Sequence, residues 1–262
     1  MNASSKVAVV TGASSGIGAE LAQLLAVRGY RVVATARRED RLEELCQRIT
    51  SAGGVCVAFP ADLSRRSERE RLCEALAPNA ADIEVLVNNA GFGTHGYFIE
   101  TDVDRELEMI EVNCAALVHL TKRLLPAMRA RGRGYVVNVA SVAAFQPGPL
   151  MAVYYASKAF VLSFSEALSE ECAGTGIHVN ALCPGTIPTE FQAKAGIASS
   201  APPAYASKLT ARDAAEQGLA GMFANKRIVI TGARQKTAVF FNRFLPRKVI
   251  TKAVKRIQAR RL

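Results

Sequence analysis

The chain has 262 residues, half of them hydrophobic, and a formal net charge of +10 at pH 7. That length allows one large domain with a substantial core, and no apolar run approaches the roughly 20 residues that cross a bilayer. Twelve of the 33 basic residues lie in residues 226–262, which contain no acid. The excess charge therefore belongs to a C-terminal segment and not to a folded face with a nucleic-acid-binding motif, so we expect no nucleic-acid partner.

Short aliphatic runs alternate with amphipathic stretches along the chain, which predicts strands alternating with helices. The clearest helices are expected at residues 16–28, 41–51, 68–76 and 152–173. Because the strands are nearly continuous apolar runs, the pattern predicts an α/β fold with a parallel sheet covered on both faces. The seven strands are expected at residues 6–10, 31–35, 55–59, 83–87, 135–140, 177–182 and 227–231.

A glycine-rich turn, TGASSGIG at residues 11–18, follows the first strand. Its glycines permit a tight turn and a close approach of the backbone to a pyrophosphate, and the next helix offers its N-terminal amides. An ordinary strand-to-helix turn is the alternative, but the position between an apolar strand and an amphipathic helix favours a nucleotide site. We predict cofactor contacts from Gly12, Ser14, Ser15, Gly16, Ile17 and Gly18.

Two arginines end the second strand, in the sequence VVATARRED. An NAD site usually has an acidic side chain here for the adenosine ribose, about 20 residues after the glycines. Arg37 and Arg38 instead favour a 2′-phosphate, because arginine makes paired, charge-assisted hydrogen bonds to phosphate. A solvated helix start is the alternative, and we expect NADP(H) as the cofactor.

Two segments interrupt the alternation of strands and helices. Residues 186–210 are rich in Ala, Ser and Pro and follow the sixth strand at the ligand-binding edge, so we expect a substrate lid. Within it, Tyr205 and Lys208 repeat part of the YYASK sequence of residues 154–158, but without a serine at the matching offset. We interpret this copy as part of the lid and not as a second site.

The second such segment is a basic amphipathic tail at residues 236–262, with apolar residues at helical spacing among basic ones. Such a stripe is compatible with packing on the body or a neighbouring subunit, with an anionic membrane surface, or with an acidic partner such as an acyl carrier protein. The apolar residues are Phe240, Phe241, Phe244, Leu245, Val249, Ile250, Ala253, Val254 and Ile257.

The six cysteines are scattered, without a CxxC pair or a cluster that could bind a metal, so we expect free thiols and no metal site. The N-terminal sequence lacks a basic flank followed by an apolar segment. It does not match a secretory signal, so we expect a cytoplasmic protein. If the basic tail binds a membrane surface, the protein would be peripheral to that membrane.

Six short motifs, in this order and spacing, resemble the short-chain dehydrogenase/reductase family over nearly the whole chain. The spacing is specific although no single motif is, since Ser141 lies thirteen positions before Tyr154. The motifs are TGASSGIG, NNAG at residues 88–91, IEVNCAA around Asn113, NVASVAA around Ser141, YYASK, and CPGTIPT at residues 183–189.

The resemblance implies a Rossmann-type, doubly wound sheet of seven parallel strands with helices on both faces, in a single NADP(H)-binding oxidoreductase domain over residues 1–262. It implies a catalytic set of Asn113, Ser141, Tyr154 and Lys158. Relatives commonly pair through the helices that carry Asn113 and Tyr154, so a homodimer or homotetramer is expected. Further cofactor contacts are implied for Asp62, Leu63, Asn89, Ala90, Gly91, Tyr154, Lys158, Pro184, Gly185, Ile187 and Thr189.

The same residue types suit a hydride transfer to a carbonyl, whose oxygen then needs a proton and a hydrogen-bond donor. Tyrosine, with an ordinary pKa of about 10, is a weak acid at neutral pH, so we expect the Lys158 ammonium to lower the pKa of Tyr154. Ser141 would polarise the carbonyl. For Asn113 the resemblance implies a helix distortion and a water leading protons to Lys158.

Taken singly, each of these residue types is more often a helix cap or a helical contact. The catalytic assignment therefore depends on their occurring together. Helical geometry alone favours Tyr154 only slightly over Tyr155 as the partner of Lys158, and the family spacing decides for Tyr154. We expect Tyr155→Phe to retain most activity.

We expect a small-molecule ketone or alcohol substrate in a largely apolar pocket, with His95, Phe145 and Gln146 as substrate contacts. The main function predicted is NADP(H)-dependent interconversion of a carbonyl and a secondary alcohol, on a lipophilic substrate. Reduction of a 3-oxoacyl thioester is an alternative. A catalytically silent nucleotide-sensing protein is another, and it is disfavoured because no catalytic side chain is missing.

Overall fold

A seven-stranded parallel sheet forms the centre of the molecule, in a computed structural model that describes residues 6–197 and 209–261. The strand order is β3-β2-β1-β4-β5-β6-β7, which confirms the predicted Rossmann-type sheet. The predicted copy at Tyr205 and Lys208 lies outside the described residues. The strands are β1 Val7–Thr11, β2 Arg31–Ala36, β3 Val55–Pro60, β4 Ile83–Asn88, β5 Gly134–Val139, β6 Ile177–Cys183 and β7 Ile228–Ile230.

The four helices predicted from periodicity are all present, with ends that differ from the predicted ones by at most two residues. Short 3₁₀ turns at Ala77–Asp82 and Val142–Phe145, and a π-helical turn at Glu111–Ala115, complete the described elements. The helices are α1 Gly16–Val27, α2 Glu39–Ser51, α3 Arg66–Leu76, α4 Val103–Ile110, α5 Ala116–Arg131, α6 Ala152–Glu171, α7 Glu190–Lys194, α8 Ala211–Phe223, α9 Ala233–Asn242 and α10 Arg247–Ala259.

Two apolar cores cover the two faces of the sheet. Alternate residues of β1 point to opposite faces, so Ala8 and Val10 join the core under α1, α2 and α8, whereas Val7 and Val9 join the core under α3 and α5. Every residue of β1 is buried. This double burial explains why the strands read as continuous apolar runs, and it places their carboxyl ends at one edge where a ligand can bind.

The prediction of six free thiols is wrong for one pair. Cys46 on α2 and Cys56 on β3 form a disulfide across the turn between these elements, with Cα atoms 4.9 Å apart. That separation lies within the range that a disulfide requires. The other four cysteines, at positions 73, 114, 172 and 183, are free. CxxC spacing could not reveal this bridge, because its cysteines are ten positions apart and are brought together by the packing of α2 on β3.

The C-terminal tail packs on the body of the protein, which was one of the three arrangements compatible with its sequence. Ile250 and Val254 of α10 are buried in a cluster with Met151 and Tyr155. The aromatic residues of α9 and the following turn, Phe240, Phe241 and Phe244, are exposed. None of the described helices is long and apolar enough to span a membrane, and the packing of α10 gives membrane attachment no support.

Candidate active site

The glycine loop between β1 and α1 is held in place by the NNAG motif at the end of β4. The Asn89 side-chain amide donates to the carbonyl oxygens of Thr11 (2.9 Å) and Gly12 (3.1 Å). In return, the Thr11 hydroxyl oxygen accepts from the backbone N–H groups of Asn89 (2.9 Å) and Ala90 (3.0 Å). Two motifs that lie far apart in sequence thus fix each other at the crevice between β1 and β4.

Glycine is required in this loop for two physical reasons. Gly12 and Gly16 have φ angles of +64° and +58°, which L-residues with a side chain rarely adopt. Gly18 has no room, since a Cβ there would lie 2.3 Å from the Asn89 amide nitrogen and 2.4 Å from the Gly12 carbonyl oxygen. The loop is a close-fitting backbone cradle of the kind that binds a pyrophosphate.

A cleft of about 700 Å³ runs from this loop, along the carboxyl ends of the strands, to α9 and α10. It brings together nearly all predicted cofactor residues. Gly18 lies behind the loop against Asn89 and is the one predicted cofactor residue that does not line the cleft. The lining residues include Gly12, Ser14, Ser15, Gly16, Ile17, Arg37, Arg38, Asp62, Leu63, Asn89, Ala90, Gly91, Pro184, Gly185, Ile187 and Thr189.

Arg37 and Arg38 line the end of the cleft that follows β2, and each is paired with a carboxylate. Arg37 lies 2.9 Å from Glu108 on α4. Arg38 lies 2.7 Å from Glu190, the first residue of α7, and 3.2 Å from the Ser14 hydroxyl of the glycine loop. Asp62 accepts hydrogen bonds from both the hydroxyl and the backbone N–H of Ser64, which orients its carboxylate beside this end of the cleft.

Asn113 lies in the π-helical turn that joins α4 to α5, so the structure has the helix distortion expected there. Its side-chain amide donates to the Phe92 carbonyl oxygen (3.0 Å) and the Ser157 hydroxyl (2.9 Å), and its amide oxygen accepts from the Phe92 N–H (3.1 Å). Asn113 is fully buried and does not line the cleft. It fixes the loop after β4 against α6, and its predicted water relay stays a prediction.

Ser141, Tyr154 and Lys158 all line the cleft, between the glycine loop and the apolar end. Ser141 follows β5, where its hydroxyl accepts from the Ala143 N–H (3.1 Å) and donates to the Pro184 carbonyl oxygen (3.4 Å). Lys158 lies one helical turn after Tyr154 on α6, and its Nζ is 6.0 Å from the centre of the Tyr154 ring. The three polar groups therefore face one volume, as the spacing of the sequence predicts.

The expected lowering of the pKa of Tyr154 is not observed. Burial raises the pKa of Tyr154 to about 12, and the hydrogen bond from Ser141 opposes this increase. Lys158 does not offset the burial because its ammonium is turned to the Val139 carbonyl oxygen, 2.8 Å away. The phenol is therefore held in its protonated form, which suits a proton donor to a developing alkoxide.

Burial also acts on Lys158, lowering its pKa to about 8, while the nearby thiols of Cys114 and Cys183 raise it. The amine is thus still mostly protonated at pH 7, although it lies in an apolar setting. Burial of the Lys158 ammonium, which supplies positive charge to the site, therefore lowers the free energy of unfolding.

Lys158→Met is expected to be more stable than the unmodified protein at pH 7. The folded-state pKa of about 8 lies below the ordinary value of 10.5, so the buried ammonium costs up to about 3 kcal/mol below pH 8. Between pH 8 and about 10 the unfolded chain binds more protons, so this cost disappears as the pH rises. Chemical denaturation at neutral and alkaline pH measures the difference, and an equal difference at both would contradict the prediction.

Tyr155, adjacent to the proposed acid, has a different environment that the sequence did not indicate. Its hydroxyl accepts a 2.9 Å hydrogen bond from the Gln258 side chain on α10, and its ring packs with Ile250 and Val254. The Gln258 carbonyl oxygen lies 3.1 Å from His95 Nε2. Tyr155 therefore anchors the C-terminal helix, which forms the apolar wall of the cleft.

The three predicted substrate contacts have different positions. Gln146 lines the cleft and accepts a hydrogen bond from the Asn242 amide of α9. His95 and Phe145 are not among the described residues that line the cleft. Burial, the largest effect, lowers the pKa of His95, and its bond to the Gln258 carbonyl opposes this shift. His95 therefore contacts the docked tail, and Phe145 packs in the core around Val161 and Leu162.

Tyr155→Phe is expected to change kcat by less than about threefold, because it removes one hydrogen bond of about 1 kcal/mol and keeps the ring. Since that bond holds α10 against the cleft, the KM for lipophilic ketones is expected to rise more than kcat falls. Gln258→Leu, which removes the other partner, should give the same pattern. Steady-state kinetics test this, and a large loss of kcat with unchanged KM would show instead that Tyr155 takes part in the chemistry.

A seven-stranded parallel sheet, with a glycine loop at its central crevice and a tyrosine and a lysine in the same cleft, is the arrangement of Rossmann-type oxidoreductases. Residues 6–199 match the family model described as short chain dehydrogenase. The chain belongs to this family, which confirms the resemblance carried by its motifs.

Individual relatives support the same assignment. Ketoacyl reductase HetN of Nostoc sp. is 34% identical over 182 residues, which cover 70% of this chain and 63% of HetN. A short-chain dehydrogenase from Sphingobium yanoikuyae in complex with NADPH has a TM-score of 0.82 at 32% identity, covering 91% of this chain and 94% of that one. A Burkholderia phymatum family member in complex with NAD has a TM-score of 0.81 at 25% identity, covering 90% and 92%. Solved relatives thus bind either dinucleotide.

Proposed function

We propose that this protein is an NADP(H)-dependent oxidoreductase that interconverts a carbonyl and a secondary alcohol on a lipophilic substrate. The observation that carries the proposal is the convergence of Ser141, Tyr154 and Lys158 on the cleft that begins at the glycine loop. A catalytically silent relative has no need of this complete set.

The residues present fit a nicotinamide dinucleotide, which supplies or accepts the hydride when bound. The glycine loop packs so closely on the end of β4 that a Cβ at Gly12 or Gly18 would clash with Asn89, and its residues Gly12, Ser14, Ser15, Gly16 and Ile17 line the cleft. The choice of NADP(H) over NAD depends on Arg37 and Arg38, at the end of the cleft where adenosine would lie. Two guanidinium groups suit a 2′-phosphate, and β2 contains no acid that could hold the ribose hydroxyls. Pro184, Gly185, Ile187 and Thr189 would flank the nicotinamide.

In the reduction direction, the Tyr154 hydroxyl donates its proton to the carbonyl oxygen as negative charge develops there. The Ser141 hydroxyl donates a hydrogen bond to the same oxygen, so that two donors stabilise the alkoxide. To stabilise the phenolate that remains on Tyr154 and return a proton to it, the Lys158 ammonium has to turn from the Val139 carbonyl oxygen toward the Tyr154 ring, whose centre is 6.0 Å away. Asn113 would lead that proton in through a bound water.

The substrate end supports a lipophilic ketone or alcohol. The wall that α10 forms beyond Tyr154 is apolar, with Val249, Ile250, Val254 and Ile257 lining the cleft. Burying apolar area contributes about 25 cal/mol per Å², so a hydrophobic substrate gains affinity from this wall.

Purified protein assayed with NADPH and a panel of hydrophobic ketones should consume NADPH, followed by its absorbance, with a lower KM than for small polar ketones. The reverse assay uses the corresponding alcohols with NADP. Tight NADP(H) binding without turnover across the panel would instead favour the silent nucleotide-sensing protein.

A second candidate is reduction of a 3-oxoacyl thioester, which the similarity to a ketoacyl reductase favours. The exposed basic side chains of α10 could bind an acidic acyl carrier. Reversing the charge of Lys248, Lys252 and Lys255, all exposed, should then raise the KM for a carrier-bound substrate and leave the KM for a small thioester unchanged. Equal effects on both substrates would count against carrier recruitment.

We also propose a homodimer or homotetramer, formed through the helices that carry Asn113 and Tyr154. Apolar side chains exposed on this surface support the proposal, namely Val103, Leu107 and Ile110 on α4 and Phe160 on α6. Light scattering of the purified protein measures the assembly, and a monomer at micromolar concentration would contradict it.

A further inference from the structure

An ion pair lies across the mouth of the dinucleotide cleft. Arg38 Nη2 is 2.7 Å from Glu190 Oε2, and the same guanidinium nitrogen is 3.2 Å from the Ser14 hydroxyl. Lys194 Nζ lies 2.9 Å from the same Glu190 oxygen. Both cations lower the pKa of Glu190 to about 2, the hydrogen bond from Arg38 being the largest cause. Glu190 is therefore a carboxylate at all physiological pH values.

This pair joins two distant parts of the sheet edge. Arg38 follows β2, whereas Glu190 begins α7 after β6, and three strands, β1, β4 and β5, lie between β2 and β6. The contact crosses the crevice between β1 and β4, where ligands bind in such sheets. Because Arg38, Ser14 and Thr189 all line the cleft, the pair spans the place where the adenosine half of the cofactor would lie.

Glu190 is also close to the catalytic end. The next residue, Phe191, packs on the Tyr154 ring with centroids 5.2 Å apart. The preceding residue, Thr189, caps α7 and lies against Gly16, where a Cβ would come within 3.3 Å of its methyl group. Any change in the partner of Glu190 thus occurs on a segment that contacts both the glycine loop and the proposed acid.

We propose that Glu190 is a built-in competitor of the cofactor's 2′-phosphate for Arg38, and that this carboxylate sets the preference between NADPH and NADH. The inference rests on the proposed function, in which Arg38 binds that phosphate. The Arg38 Nη2 that pairs with Glu190 is also the nitrogen that contacts Ser14 of the glycine loop, so a 2′-phosphate at this edge competes with Glu190 for the same donor, and the doubly charged phosphate is the stronger acceptor. NADPH binding therefore exchanges the Arg38–Glu190 bond for an Arg38–phosphate bond and leaves Glu190 to Lys194. NADH, lacking the phosphate, has no such exchange.

The neighbouring arginine offers a comparison. Arg37 is paired with Glu108, but Glu108 also accepts from Arg105 on its own helix, 2.5 Å away. Glu108 lies on α4 and does not line the cleft. Of these two arginine pairs, the Arg38 pair is the one that joins the two sides of the cleft, so the selectivity effect is assigned to Glu190.

Isothermal titration of Glu190→Gln with two fragments tests the competition, adenosine 2′,5′-bisphosphate and AMP, at one ionic strength. The bisphosphate is expected to bind about twofold to fivefold more tightly than to the unmodified protein, a range set by the partial exposure of the pair. AMP affinity should change by less than about twofold. Glu216→Gln is the matched control, because it breaks an exposed pair with Arg212 (2.9 Å) on α8, away from the cleft.

Arg38→Met separates this inference from the proposed cofactor choice. If Arg38→Met weakens bisphosphate binding while Glu190→Gln leaves it unchanged, the competition is wrong and the cofactor assignment stands. If Arg38→Met leaves bisphosphate binding unchanged, both are overturned. In the Arg38→Met background, Glu190→Gln should have no further effect on bisphosphate affinity. If Glu190→Gln still raises that affinity by the same factor, Glu190 acts by simple repulsion of the phosphate, and competition for Arg38 is overturned.

Discussion

Tyr154→Phe is expected to reduce kcat for ketone reduction by about 10²- to 10⁴-fold, the usual contribution of a positioned general acid. The substitution removes the phenol hydroxyl that burial holds in its protonated form in the cleft. The ring keeps its packing on Phe191, so the dissociation constant for NADPH should stay within about twofold, because no cofactor phosphate contact is lost. Rapid mixing of the enzyme–NADPH complex with ketone measures the chemical step directly.

Tyr155→Phe is the matched control, since it deletes the same atom one residue later on the same helix. A comparable loss of kcat in both variants would point to damage to α6 and not to lost proton transfer. Full activity in Tyr154→Phe would remove the tyrosine from the mechanism altogether. The pH dependence gives a further check: a donor with a pKa of about 12 stays protonated throughout the neutral and mildly alkaline range, so a fall in kcat near pH 8 is assigned to deprotonation of Lys158.

The sheet could be predicted from sequence because central strands such as β1 and β4 are buried on both faces and are therefore mostly apolar. The glycine loop could be predicted because its backbone conformation and close contacts admit no side chain at Gly12 and Gly18. The catalytic cleft followed from motif spacing, since parallel strands carry the residues after β1, β4, β5 and β6 to one edge. Local chemistry and topology were sufficient for these features.

Other features of the site depend on contacts between residues that no periodicity connects. Gln258 and Tyr155 are 103 residues apart in sequence, and Arg38 and Glu190 are 152 apart. The apolar stripe of α10 predicts that one face of this helix is buried, but it does not identify the surface that covers that face. Packing on the body of the protein was therefore one of three alternatives. The pKa of Tyr154 was predicted in the wrong direction because the sequence shows the neighbouring cation and does not show the depth of burial.

Gly18→Ala is expected to abolish measurable dinucleotide binding and to lower the free energy of unfolding by about 1–3 kcal/mol. The new methyl group would lie 2.3 Å from the Asn89 amide nitrogen and 2.4 Å from the Gly12 carbonyl oxygen, and neither can move without breaking the hydrogen bond between them. Asn89 also bonds the Thr11 carbonyl, so the displacement spreads to the end of β1 and opens the cradle. Calorimetric titration with NADPH and chemical denaturation measure the two effects.

Gly53→Ala provides the comparison for this second prediction. Gly53 has a φ of +84° in the turn between α2 and β3, with open space around its Cα. Alanine there should cost roughly 1 kcal/mol of stability through backbone strain alone. NADPH binding should be unchanged, because the turn lies at the opposite end of β3 from the cleft. If Gly18→Ala lost no more affinity than Gly53→Ala, the close packing of the glycine loop on Asn89 would not be what shapes the cofactor site.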